Sequence, residues 1–434
     1  MISYENYIEV EVKDKMKKVR EGYKMTELGQ IPVDWEIRRL SEITLLIKDG
    51  THNPPERTEK GIPLLSAENI FNNKINFGRN EKNISRKSFE DIHKSYNIEK
   101  NDVLLTCVGS IGRTAVVKDE PLFTVQRSVA IFKLCDSIDS YYFNYSLNSN
   151  YLQKQLKIRA KTTAQSGIYL GELSKMSTIV PKLSEQQKIS LILSTVDESI
   201  ENTDKLIDKT KELKKGLMQR LLTKGIGHDR FKNTEIGRIP EEWEVTQLNN
   251  VANVIDSLHE TPKYQEEGFP MIRVVDVNGK AISAESSFKV SEDIYLKFTR
   301  KYKPQKYDII MSRVGSYGIV SYLKDDKKVC LGQNIVVINA KINKMYLFYC
   351  LISIIVQSQI ERFAVGSSQK TLSLENIKKL MVLLPNPEEQ ERITLILISV
   401  DEKIEQYESK KEKLLDLKKG LMQKLLTGKI RVKV

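Results

Sequence analysis

The 434-residue sequence predicts a mixed α/β (α+β) fold built as two copies of one unit, each a globular domain followed by a long helix. Three observations carry this expectation. Signature segments recur about 205 residues apart, the mark of an internal duplication. Each copy ends in 41 residues with a narrow apolar stripe at spacings of three and four. The residues ahead of each stripe alternate short β-rich runs with Gly/Asn/Pro turns and close on an amphipathic helix.

The duplication is read residue by residue. "TELGQIPVDWEI" at 26–37 returns as "TEIGRIPEEWEV" at 234–245, and these hold the only tryptophans, Trp35 and Trp243. "LLTCVGSIG" at 104–112 matches "IIMSRVGSYG" at 309–318, with Gly109 and Gly112 against Gly315 and Gly318. "EQQKISLILSTVDESIE" at 185–201 returns as "EQERITLILISVDEKIE", and "KKGLMQRLLT" at 214–223 as "KKGLMQKLLT". Aligning 184–224 with 388–428 gives 22 identities in 41 positions, whereas the globular parts match only at scattered anchors. Helices kept alike while the domains diverge have two readings: a tight helix pair that tolerates less change, or one shared partner for the helices and different targets for the domains. The expected divisions are an extension 1–23, a domain 24–183, a long helix 184–228, a second domain 229–387, a second long helix 388–428 and a basic tail 429–434.

The first long helix has Ser184 and Gln187 at capping-box spacing; the second has Asn386, Pro387 and Glu389. Apolar residues recur at Ile189, Leu193, Val196, Ile200, Leu213, Leu217 and Leu221, and at Ile393, Leu397, Val400, Ile404, Leu414, Leu417, Leu421 and Leu425. This is a coiled-coil seam on a rod of roughly 60 Å. A narrow stripe cannot be buried alone, so the two helices are expected to pair. Gly216 and Gly420 interrupt good helix formers and suggest a close helix approach, a docked partner or a kink.

Function is first asked by "DGTHNPPER" at 49–57, because Asn-Pro-Pro opens the catalytic loop of many DNA adenine methyltransferases. That loop stacks the extruded base on an aromatic residue, and here Glu56 stands in its place. The copy reads "DSLHETP", without the Asn-Pro-Pro, and there is no glycine-rich cofactor loop or phosphate loop. E-x-K triplets such as Glu212–Lys214 fall in a helix and do not make a nuclease site. Four cysteines without C-x-x-C spacing and four histidines indicate neither a zinc site nor a disulfide framework, and suit a reducing cytoplasm. The polar start of the chain lacks a signal-peptide pattern. "LFYCLISIIV" at 347–356 is too short for a membrane span and reads as a buried helix.

The net charge is +12. The segments 184–224 (8 basic, 7 acidic) and 388–428 (8 basic, 9 acidic) cancel, 1–23 balances, and the tail carries +3, leaving +9 on 24–183 and 225–387. A polyanion would therefore be met by the globular parts. Short strands are read in "RTAVVKD", "SVAIFKL" and "NIVVINA". "YYFNYSLNSNYLQKQLK" and "MYLFYCLISIIVQSQIERF" read as helices, each followed by a polar loop holding Gln165 or Gln369. Candidate nucleic-acid contacts are Thr51, His52, Arg86, Lys87, Ser110, Arg113 and Arg127 in the first domain. In the second they are His259, Arg273, Arg300, Lys303, Arg313, Ser316 and Tyr317.

From about residue 24 the chain resembles the specificity subunit of type I restriction-modification systems. The resemblance rests on the paired "TELGxIPxxW" segments, the "VGSxG" loops, the P-x-x-x-EQ starts of the long helices and the "KKGLMQxLL" ends. It implies two target-recognition domains related by a pseudo-two-fold and separated by an antiparallel coiled coil of the repeated helices. Each domain would read half of a split site in double-stranded DNA. It also implies two methyltransferase subunits that modify adenine, and restriction subunits that act as motor and nuclease. S-adenosylmethionine, ATP and Mg would then sit on those partners, with no cofactor, metal or catalytic residue on this chain. Methyltransferase docking is expected at Lys214, Lys215, Leu217, Met218 and Gln219, and at Lys418, Lys419, Leu421, Met422 and Gln423. Two alternatives are a free-standing bipartite DNA-binding regulator and an adenine methyltransferase using Asn53–Glu56. The extension 1–23 lies outside the shared pattern.

Overall fold

The computed structural model describes residues 19–78, 82–119, 122–160, 167–364 and 370–433. Residues 1–18 of the extension, Gln165 and Gln369 lie outside the described residues. The chain divides into two compact units, Met1–Thr203 with Lys410–Val434, and Asp204–Ser409.

In the first unit an antiparallel sheet runs Thr114–Val116, Val103–Thr106, Val129–Leu134, Thr44–Asp49. Its central strands are apolar almost throughout because both faces are covered. Alternation sends Val103, Leu105, Ala130 and Phe132 to one side, against Phe143 and Leu147 of helix Ser140–Leu147 and Leu152 and Leu156 of helix Asn150–Arg159. Leu104, Val129 and Ile131 point the other way, onto Leu65 and Val125. Those two residues belong to a smaller sheet, in which Ile62–Leu65 pairs in parallel with Thr124–Val125 and antiparallel with Lys82–Ile84.

The second unit repeats this plan. Its sheet runs Ala252–Asp256, Ile335–Ala340, Ile309–Ser312, Val320–Leu323, with Ala281–Ile282 added at the edge. Ile309, Met311, Val336 and Ile338 pack with helices Lys344–Ile352 and Ile354–Phe363, while Ile310, Ile335 and Val337 face Ile272 and Leu331. The apolar run at 347–356 is thus two buried helices joined at Ser353, whose hydroxyl accepts from Val356 N. No described helix is long and apolar enough to cross a membrane.

The long helices span Leu183–Lys224 and Pro387–Leu425. The first starts one residue before Ser184, whereas Asn386 Oδ1 accepts Glu389 N at 2.9 Å and caps the second. The second ends at Leu425, and Gly428 follows with φ 68°, its Cα so close to Pro32 that a Cβ would lie 2.4 Å from the ring. In the first unit Asp197 pairs with Lys418 at 2.6 Å and Glu185 with Arg431 at 2.7 Å; in the second Lys214 pairs with Asp401 at 2.6 Å and Lys211 with Glu408 at 2.9 Å. In each unit residue numbers fall along one helix as they rise along its partner and, in the first unit, on into Arg431 beyond the helix end, so the pairing is antiparallel.

The seam departs from the expected stripe. Leu213 and Leu417 are 55% and 49% exposed, and the line of burial keeps the expected Ile404 but runs through Thr203 and Ile207 and past Lys214 and Lys418. A lysine is tolerated there because its ammonium meets a carboxylate and a tyrosine. Tyr145 donates to Asp197 at 2.8 Å with Lys418 5.6 Å above its ring; Tyr349, Asp401 and Lys214 repeat the triad at 2.7 Å and 5.5 Å. Burial, with the aspartate beside it, pushes each tyrosine hydroxyl far up, so both remain donors. Of the three readings of Gly216 and Gly420, the close helix approach is absent among the described residues, since a Cβ at either would meet nothing within 4 Å.

Candidate nucleic-acid interface

The tryptophans and the E-Q pairs seat each domain on the helices. Trp35 Nε1 donates to Glu185 Oε2 and Trp243 Nε1 to Glu389 Oε2, both at 2.9 Å, with both rings essentially fully buried. A carboxylate placed there needs cationic or N–H partners. Glu185 receives Arg431, which also forks onto Asp34; Glu389 receives His228 at 2.9 Å and Ile226 N at 2.8 Å. The following glutamines are buried too. Gln186 Nε2 donates to Pro181 O and Ser137 O while its Oε1 accepts Asp139 N; Gln390 repeats this with Pro385 O and Asn343 N.

On this seat the candidate contacts gather at one loop cluster per unit. In the first unit, Thr44–Asp49 leads into Gly50, where a Cβ would lie 2.0 Å from Val125 O, and the glycine lets the chain lie against that strand. Thr51 N donates to Val125 O and Arg127 N to Thr51 O. His52 Nε2 lies 2.7 Å from Asp49 Oδ2 with its side chain 63% exposed. The V-G-S-x-G loop joins them through Cys107 N, which donates to Ser128 O. Gly109 and Gly112 take φ of 76° and 93°, as the duplicated glycines suggested, and Gln153 Nε2 holds Gly112 O at 2.9 Å. Ser110 and Arg113 sit on this loop, Arg113 exposed. Burial pushes the Cys107 thiol up to about 12, so it stays protonated and unreactive.

The second unit builds the same cluster with different side chains. His259 lies 3.2 Å from Asp256, again exposed. Arg313 N donates to Asn334 O, Gly315 and Gly318 take φ of 74° and 73°, and Gln357 Nε2 holds Gly318 O. Where the first unit has Cys107, the second has Arg313, whose Nη1 meets both Asp256 oxygens at 2.7 and 2.8 Å while Nε donates to Leu372 O. Arg313 was a candidate DNA contact on sequence; its guanidinium is committed inside the domain. Tyr317 donates to Glu361, leaving Ser316 exposed at the loop tip.

The remaining candidates lie on other elements. Arg86 and Lys87 open helix Arg86–His93, with Arg86 paired to Glu90 at 3.1 Å. Arg273 lies 3.9 Å from the Phe288 ring centroid and 3.8 Å from Asp276, so packing holds it in place. Arg300 borders a cleft of about 400 Å³ with Asp256, Ser257, Glu260, Lys297 and Tyr302; Lys303 is exposed beyond it. Among the docking candidates, Lys214 and Lys418 face the seam, and Leu217, Met218, Leu421 and Met422 pack against the cores. Lys215, Gln219, Lys419 and Gln423 stay exposed. Among the described residues no group of three His, Cys, Asp or Glu could hold a metal ion. Gln333, in the loop beside Asn334, belongs to the cluster but was missed on sequence. Its signal was the alignment of "QRS" with "GQN" in front of the matching strands.

The model of the type I restriction modification DNA specificity domain matches residues 32–212 and 240–416. The MjaX type I restriction enzyme specificity subunit of Methanocaldococcus jannaschii is 31% identical over 431 residues, covering 95% of this chain and 97% of that one. The EcoBI specificity subunit of Escherichia coli is 25% identical over 77% of this chain and 72% of its own length. In fold, the crystal structure of a type I restriction-modification S subunit from M. genitalium superposes with a TM-score of 0.57 at 17% identity, covering 94% and 97% of the two chains. The expected resemblance therefore holds, and the methyltransferase reading of Asn53–Glu56 falls. This chain belongs to the type I restriction-modification DNA specificity family and is a specificity subunit, a non-catalytic part of a type I restriction enzyme.

Proposed function

We propose that this subunit binds double-stranded DNA through its two loop clusters, the domain 24–183 reading one half of an asymmetric bipartite site and the domain 229–387 the other. One observation carries the reading. The two clusters share a backbone frame, from the aspartate–histidine pair to the glycine loop, yet differ in the side chains mounted on it, as at Cys107 and Arg313. A common frame positions the readers, and different side chains let them read different sequences. The +9 on the globular segments supplies attraction to phosphates.

The duplicated helices present equivalent exposed residues, Lys215 and Gln219 with Lys419 and Gln423, on which two copies of one methyltransferase subunit dock in the cytoplasm. Those subunits carry S-adenosylmethionine and modify adenine; restriction subunits carry ATP and Mg and cut unmodified DNA. This chain selects the site and holds the partners on it. Exchange of residues 24–183 for the equivalent domain of a relative tests the reading. One half of the methylated motif should change and the other stay. A change in both halves, or in neither, would overturn it.

A further inference from the structure

We propose that Arg127 reads a guanine in the half-site of the first domain and that Gln333, its counterpart, reads an adenine in the half-site of the second. The proposal rests on the DNA-reading function above and assigns it to one position per domain.

The two residues occupy one place in the frame. Cys107 N donates to Ser128 O at 2.8 Å, and Arg313 N donates to Asn334 O at 2.8 Å, so the residue just before each acceptor is Arg127 or Gln333. The backbone around both is fixed. Arg127 N donates to Thr51 O at 3.0 Å, Gln126 N to Leu65 O at 2.8 Å and Val129 N to Gln126 O at 2.9 Å; Gly332 N donates to Ile272 O at 2.8 Å. Their side chains are not fixed in the same way. Arg127 is exposed, and its guanidinium has no hydrogen-bond or ion-pair partner among the described residues. Gln333 is half-buried, and its amide makes one bond, to the Thr261 hydroxyl at 3.0 Å, which a base can replace. A held backbone with a free polar tip is what base reading requires.

Comparison of the two units decides which cluster residues discriminate. A residue present in both, such as His52 and His259, cannot make the halves differ and is suited to the uniform phosphate backbone. Arg313 differs from Cys107, but Asp256 occupies its guanidinium. Position 127/333 differs and is available. The chemistry then names the base, because a guanidinium fork matches guanine O6 and N7 and a carboxamide matches adenine N6 and N7 in the major groove.

The test uses the full chain assembled with its methyltransferase subunits, acting on random-sequence DNA, with methylated motifs read by sequencing. In R127Q one base pair of the first half-site should move from guanine to adenine, by about 5- to 150-fold in relative preference, with the second half unchanged. Q333R should make the converse change in the second half. R127K keeps the charge but loses the fork, and should lose the guanine preference while the salt dependence of binding stays as in the parent. Methylation lowered equally on all sequences would make Arg127 a phosphate contact and overturn the proposal, as would an unchanged motif. If the unaltered chain directs no bipartite methylation, the function itself fails; if it does and R127Q leaves the motif alone, only the base assignment fails.

Discussion

Substitution of Glu185 tests whether the buried carboxylate is what seats the first domain. In Glu185→Ala the Trp35 indole N–H loses its acceptor in a site where the ring is fully buried. An orphaned buried donor costs about 1–3 kcal/mol. Arg431 loses one of its two carboxylates; its side chain is 42% exposed, so that loss adds at most about 1 kcal/mol. The sum is roughly 1–4 kcal/mol, and with a urea slope of about 2 kcal/mol/M the unfolding midpoint falls by about 0.5–2 M. Each unit contains one tryptophan, so a Trp243→Phe background makes Trp35 fluorescence report on the first unit alone, and Trp35→Phe reports on the second. Glu185→Gln keeps an acceptor for the indole and should cost only about 1 kcal/mol. If the alanine and glutamine variants shift equally, or if the Trp243 transition moves with that of Trp35, the carboxylate does not seat this domain.

Gly216→Ala and Gly420→Ala should each stabilise the chain by about 0.5–1 kcal/mol, because the added methyl meets open space in a helix interior; weaker pull-down of methyltransferase subunits despite higher stability would show that a partner uses the glycine. DNA binding should weaken steeply with salt, and replacing one phosphate-contacting Lys or Arg should lower the log–log slope by about 1 in a filter-binding series. Removing seven facing residues from each helix, 203–209 with 406–412, keeps the seam and the Asp197 and Asp401 triads while shortening the pair by about 10 Å; if the helices space the readers, methylome sequencing should show a gap contracted by roughly three base pairs at about 3.4 Å each. The Arg431 hydrogen bonds hold the Asp34 carboxyl below its ordinary 3.8, so this contact contributes stability above that pH and loses it as pH falls through the lowered value; Arg431→Ala should flatten that acid limb of the first unit.

The duplicated parts of the chain were legible because a repeat lets a sequence be compared with itself. Both tryptophans, both glycine loops and both long helices were found this way. What escaped were contacts whose partner lies far along the chain. Lys214 and Lys418 were expected on a methyltransferase docking surface, and they sit at the seam because Asp401 and Asp197 meet them from the opposite helix. Leu213 and Leu417 fit the apolar spacing and are nonetheless outside it, since the seam shifts to admit those lysines. Arg313 and Arg127 are indistinguishable as letters. Only the fold brings Asp256 onto one and leaves the other free.

The same contacts explain how one framework can carry two readers. The residues that fasten each domain to the helices are alike in kind and place: Trp35 and Trp243, Tyr145 and Tyr349, Gln186 and Gln390, Asp197 and Asp401. None of them lies in the loop clusters. A change in a cluster side chain therefore alters no buried anchor, and a domain that keeps the anchors can sit on the helices whatever it reads. Each unit also draws its helix pair from both copies, the start of one long helix against the end of the other. Drift in either helix would disturb the seats of both domains at once, whereas drift in a loop disturbs one reader. That asymmetry accounts physically for 22 matches in 41 helix positions beside domains that agree only at scattered positions.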